Sequence, residues 1–218
     1  MSDIYCGRKI TRRQRPRFDL VAGALCLDFV NTLDDRFTGE PKELLASYTG
    51  LAHFAEDTGI LEPLEADRLV ARGHTAPESA QSALAAAIQL REAMYKVFWA
   101  ILNKEPVPRA ALATLNRYVQ DAALHSHLVE TRRRFSWKFD DALDHLEAPL
   151  WPIVRSAADL LASDELHFVR ACASKTCLWL FLDTSKNHRR RWCDMTKCGN
   201  RAKFRRFYKR QKRAEVES

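Results

Sequence analysis

Cys172-Ala-Ser-Lys-Thr-Cys177 and, after a fifteen-residue spacer, Cys193-Asp-Met-Thr-Lys-Cys198 form two cysteine pairs, each enclosing four residues. Thiolates are soft ligands, and four of them in two local pairs can close a tetrahedron around one structural zinc at about 2.3 Å per bond. Four free thiols in an apolar core, or two disulfides, are the competing readings. Lys175, Lys186 and Lys197 place these loops among charges rather than in a core, and disulfides need an oxidising compartment that nothing in the sequence indicates. One structural Zn2+ on Cys172, Cys177, Cys193 and Cys198 is therefore expected, its net negative charge of about two offset by the neighbouring cations. The usual ribbon has two residues inside each pair, so these loops are wider. Within the spacer, apolar Leu178 to Leu182 and the segment Arg190 to Trp192 suggest two strands that bring the pairs together.

Past the second pair, Asn200 is suited to cap a helix after Gly199, and Arg201 to about Arg213 can form one helix. On a helical wheel Phe204, Phe207 and Tyr208 share one side and are expected to pack on the zinc hairpin, which leaves the basic side free. Of the formal net charge of +7, residues 186–213 carry +12 and the first seventeen +5, so the remainder stands at −10. An acidic body with basic ends points to a polyanionic partner. Duplex DNA is the expected one, contacted by Arg189, Arg190, Arg191, Arg201, Lys203, Arg205, Arg206, Lys209 and Arg210, mostly through phosphates.

The string Arg190-Arg-Trp-Cys-Asp-Met-Thr-Lys-Cys-Gly-Asn-Arg-Ala-Lys203, preceded by Leu180-Phe-Leu-Asp-Thr-Ser185, resembles the CGNR zinc-finger family, named for Cys198-Gly199-Asn200-Arg201. Members of that family usually carry an N-terminal ABATE domain, whose start here corresponds to Gly23-Ala-Leu-Cys-Leu-Asp-Phe-Val-Asn-Thr32. The resemblance spans about residues 20 to 210. It implies a stress-induced transcription regulator whose N-terminal domain is the sensing half. Asp194 stands where the pattern has a small Ser, a change that leaves the ligand set intact.

Upstream, residues 1–17 hold six Lys or Arg and no apolar period, reading as a basic arm. Residues 18–165 are expected to form a helical domain. Its predicted helices run from Leu25 to Leu33, Tyr48 to Asp57, Pro63 to Arg72 (stopped by Gly73), Pro77 to about Asn103, from Pro108, and from Asp141 to Ser163 with a break near Pro149 to Pro152. Leu128 to Glu130 and Arg134 to Phe139 read as a hairpin, aromatic on one face and basic on the other, covering the helical core. Asp28, Asn31 and Arg91 lie on apolar stretches; each needs a buried partner, which is either protein or a small-molecule effector in a pocket. Leu166 to Ala171 leads as a strand into the metal module at 166–213, with no flexible linker between.

The fold class is thus mainly α: a helical N-terminal domain with a small β-hairpin, then a zinc-ribbon-like hairpin module and a basic C-terminal helix. There is neither an apolar run of about eighteen residues nor a signal-peptide pattern, so a cytoplasmic, nucleoid-associated protein without membrane contact is expected. An enzyme is not expected: the seven histidines are scattered and no phosphate loop, nucleophile elbow or His-Glu-x-x-His pair occurs. The alternative is a zinc-stabilised RNA-binding or protein-interaction adaptor. A homodimer is compatible with the sequence, although no heptad seam demands one.

Overall fold

The computed structural model describes residues 17–131 and 133–216. Residues 1–16 of the expected basic arm lie outside the described residues. Arg17 is inside them, and its guanidinium pairs with Glu56 and Asp57, so this cation belongs to the body.

Seven helices and three two-stranded antiparallel sheets make up the described chain. Helix α1 (Leu25–Val30) is almost wholly buried because Cys26, Leu27, Phe29 and Val30 all face neighbours. It stops earlier than its apolar run predicts: Leu33–Asp34 is strand β1, paired with β2 (Lys42–Glu43). Next comes α2 (Tyr48–Asp57), whose N-cap Ser47 accepts from the Gly50 N–H. Helix α3 (Pro63–Thr75) begins with a reciprocal capping box between Glu62 and Glu65, which satisfies two otherwise orphaned donors. Gly73 does not end α3. It lies inside the helix where a Cβ would meet the Tyr48 ring at 2.7 Å, so its smallness serves packing rather than termination.

The long helix α4 (Pro77–Leu102) and α5 (Arg109–Leu124) follow their three- and four-residue apolar spacing. Strands β3 (Ser126–Thr131) and β4 (Arg134–Phe139) pair in full register, with Leu128 opposite Trp137 and Glu130 opposite Phe135. This hairpin does not cover the core as its alternation suggested. Phe139 packs inward, toward Trp151, while Leu128, Phe135 and Trp137 remain exposed and Arg155 lies over the Trp137 ring. The expected helix from Asp141 is replaced by turns, and α6 begins only at Leu150, running to Leu161 with Pro149 as its N-cap. A proline there fits a helix start, where its missing N–H costs nothing.

A short 3-10 turn at Asp164–Phe168 leads to β5 (Val169–Ala171), which pairs with β6 (Leu180–Leu182). Strand β6 is fully buried and belongs to the same core cluster as α1, α4 and α6. The chain ends in α7 (Asn200–Val216). No described helix is long and apolar enough to cross a membrane.

Candidate metal centre and basic helix

Cys172 follows β5, Cys177 sits in the β5–β6 connection, Cys193 lies in the loop after β6, and Cys198 is on the π-helical turn Met195–Gly199 that precedes α7. Arg190 to Trp192, expected as a strand, is loop; the partner of β6 is β5. The four sulfurs nevertheless converge: all are buried and lie within 4.8 Å of one another. The Cys177–Cys193 separation is 3.5 Å and the Cys193–Cys198 separation 3.7 Å. Four thiolates bound tetrahedrally at 2.3 Å have S···S distances of about 3.8 Å, so the cluster fits one structural zinc and is closed to further ligands. Hydrogen bonds from Cys177 and Cys193 hold the Cys172 thiol far below its ordinary pKa, and the same contacts, with burial, push Cys177 and Cys193 far above theirs. Thiols this crowded cannot all ionise unless a cation compensates them.

Two residues that the sequence offered to DNA also serve this centre. Arg201 donates from Nη2 to the Cys198 sulfur at 3.3 Å, placing positive charge where a tetrathiolate needs it. Arg190 lies over the Phe181 ring and donates to the carbonyls of Val21, Trp192 and Cys193. Buried Asp183 fastens the same loop, accepting from the Ser185 N–H and hydroxyl and from the Arg190 N–H. Burial opposes its ionisation, but those donors prevail and hold the carboxyl below the usual range.

Asp194, the departure from the expected Ser, is the cap of this end: its carboxylate accepts from the Thr196 N–H at 2.6 Å. Asn200 is not the N-cap. It is already helical and its side chain donates back to the Thr196 carbonyl, because the π-turn starts the helix five residues earlier. Gly199 is buried against Met195 and Trp192, with Met195 sulfur 3.1 Å from where a Cβ would stand.

The module is held on the body by paired backbone and side-chain bonds. Asn31 Nδ2 donates to the Leu180 carbonyl and its Oδ1 accepts from the Leu180 N–H. The Leu182 N–H donates to the Ala22 carbonyl, beside Gly23, which adopts φ +80° with Leu182 O 3.3 Å from its would-be Cβ. Trp179 Nε1 donates to Asp34, and Lys197 pairs with Asp19. Asp28 accepts from the Ala22 N–H. Arg91, 2% exposed, makes a bidentate pair with Glu43 and a further bond to Glu92. Asp28, Asn31 and Arg91 therefore all hold protein partners. The sequence marked them as polar residues needing partners, but could not show that Asn31 is the bolt between the two parts.

Arg189, Arg191, Lys203, Arg205 and Arg206 are exposed along the loop and helix; the side chains of Lys209 and Arg210 lie outside the described residues. Phe204, Phe207 and Tyr208 do not pack on the zinc module. They are exposed on α7, which packs on the π-turn before it.

The family model ABATE, whose description reads "Putative stress-induced transcription regulator", matches residues 23–164, well over half the chain. The chain belongs to the ABATE family. A CGNR zinc-finger model matches residues 169–211, which contain all four cysteines. No curated protein matches the chain significantly. The ABATE region is thus the helical body, and the finger is bolted to it through β6. Together the two matches and the tetrathiolate cluster make the chain a zinc-binding member of a family described as regulators.

Proposed function

We propose that the chain is a DNA-binding transcription regulator without catalytic activity, whose ABATE region receives a stress signal or small ligand and passes it to a zinc-anchored basic helix. The observation that carries this reading is α7: a cationic helix projecting from a closed metal centre, with Lys203, Arg205 and Arg206 exposed. Exposed cations on a fixed scaffold are what phosphate contacts require. With Arg190 and Arg201 assigned to the finger itself, the reading surface reduces to Arg189, Arg191, Lys203, Arg205 and Arg206, with Lys209 and Arg210 on the next turn of the same helix. A metal closed by four thiolates has no open position for a substrate, which supports a structural role.

The sensing half rests on the Asn31–Leu180 and Ala22–Leu182 bonds. A change in the packing of α1 reaches β6 directly, and β6 leads into the loop of Cys193. This route replaces a pocket formed by Asp28, Asn31 and Arg91.

The test is selection of zinc-loaded full-length protein on randomised duplex DNA at near-physiological salt. An enriched motif that vanishes in Cys193→Ser/Cys198→Ser is the expected result. Binding of structured RNA in preference to duplex, or of neither, would replace this reading with that of an adaptor. For the sensor, a metabolite screen by thermal shift that produces no hit removes the ligand arm.

A further inference from the structure

Helix α7 has a second face that phosphate binding leaves unused. Phe204, Phe207 and Tyr208 are 64%, 56% and 61% exposed, and their spacing of three and four places them on one stripe. Phe207 and Tyr208 already touch, with ring centroids 5.8 Å apart. Arg205 and Arg206 lie on the other side of the helix. A contiguous aromatic stripe left open beside a metal-anchored helix marks an interaction surface.

We propose that this stripe is the seam along which two copies of the chain pair when both lie on one duplex. The inference rests on the DNA reading above. Symmetry favours a second copy as occupant, because an isologous contact needs only one patch, which meets itself across a two-fold axis. Area explains why the seam stays open in the free chain. Aromatic side chains bury about 150–250 Å² each, so six of them at this exposure cover roughly 500–900 Å², short of the ~1,200 Å² that specific stable interfaces begin at.

Charge acts in the same direction. Lys203, Arg205 and Arg206 accompany each stripe, and two such helices repel across distances near the ~8 Å screening length of physiological salt. Duplex phosphates remove that repulsion, and tethering both copies to one DNA raises their effective concentration. The other exposed apolar face, Leu128, Phe135 and Trp137 on the β3–β4 hairpin, is a poorer occupant for α7. Arg155 already lies over its Trp137 ring and would set a further cation against α7.

The experiment uses zinc-loaded full-length protein with labelled random-sequence duplexes of about 12 and about 30 bp, the longer accommodating two sites a helical turn of ~10.5 bp apart. Without DNA the protein should run as the 25.1 kDa monomer. On the longer duplex it should bind with a Hill slope approaching ~2, and on the shorter with a slope of ~1. The triple variant Phe204→Ala/Phe207→Ala/Tyr208→Ala should keep its zinc and its short-duplex affinity within about twofold, since exposed positions contribute little to the fold, while its long-duplex slope falls to ~1. A wild-type slope of one on the long duplex, a slope retained by the variant, or a dimer formed without DNA overturns the seam. Failure to bind either duplex overturns the DNA reading itself, and the seam with it.

Discussion

The side-chain amide of Asn31 pairs with both backbone groups of Leu180, donating to the carbonyl at 2.8 Å and accepting from the N–H at 3.0 Å. Asn31 thereby acts as a one-residue strand beside β6, and all four atoms are buried. Replacement by Ala leaves two backbone groups unpaired at about 1–3 kcal/mol each. We predict that Asn31→Ala loses about 2–4 kcal/mol in urea unfolding and releases zinc to a chromogenic chelator several-fold faster. Unchanged zinc release would mean that α1 and the finger are not mechanically coupled.

Asp183 provides a pH-resolved test of the finger loop. Its folded-state pKa is depressed, so its contribution is present above the unfolded value of about 3.9 and is lost as pH falls through the lower folded value. Asp183→Asn should cost about 1–3 kcal/mol at neutral pH, because the Arg190 N–H and the Ser185 donors lose a charged acceptor. The stability gap between wild type and variant should stay constant from pH 8 to 5 and narrow below about pH 4. Acid loss of zinc affects both proteins, so the difference between them is the informative quantity. A gap that narrows above pH 5 would refute the assignment.

Gly73 sits under the Tyr48 ring, and the Tyr48 hydroxyl donates to the Leu146 carbonyl at 3.0 Å. Ala normally favours a helix interior over Gly by roughly 1 kcal/mol. At this position the added methyl must displace a ring that is anchored at its far end, and overpacking of this kind costs about 1–3 kcal/mol. Gly73→Ala should therefore lower the melting temperature, by calorimetry, where propensity alone would raise it.

The two classes of arginine should separate cleanly. Arg190→Ala removes three carbonyl contacts and the cover of Phe181, and should lower stability by about 2–4 kcal/mol with partial loss of zinc. Arg205→Glu/Arg206→Glu should leave melting within about 0.5 kcal/mol of wild type, as exposed substitutions do. The same pair should weaken duplex binding by about tenfold or more and flatten its salt dependence, measured by fluorescence anisotropy across a salt series. Equal effects of both lesions on stability would show that α7 is packed rather than projecting.

What the sequence determined by itself follows from local chemistry. Cysteine identity and spacing specified the metal, because ligand type is a property of the side chain. Periodicity placed α2, α4 and α5 within a residue or two, because an apolar stripe repeats only when one face is buried. Charge counting separated an acidic body from a basic tail. Tertiary structure decided whatever depended on a distant partner. Asn31 and Leu180 stand 149 positions apart, so no local pattern distinguishes a bolt from a pocket residue. Arg190, Arg201 and Arg205 are the same side chain, and only proximity to the Cys193 carbonyl or the Cys198 sulfur sets the first two apart. Gly73 read as a stop because glycine ends helices more often than it makes room for a ring. The β3–β4 hairpin and α7 both carry apolar faces that alternation and the helical wheel found correctly. What covers such a face depends on which surfaces lie opposite it: among the described residues the hairpin has Arg155 over Trp137 but leaves Leu128 and Phe135 exposed, as α7 leaves its three aromatics.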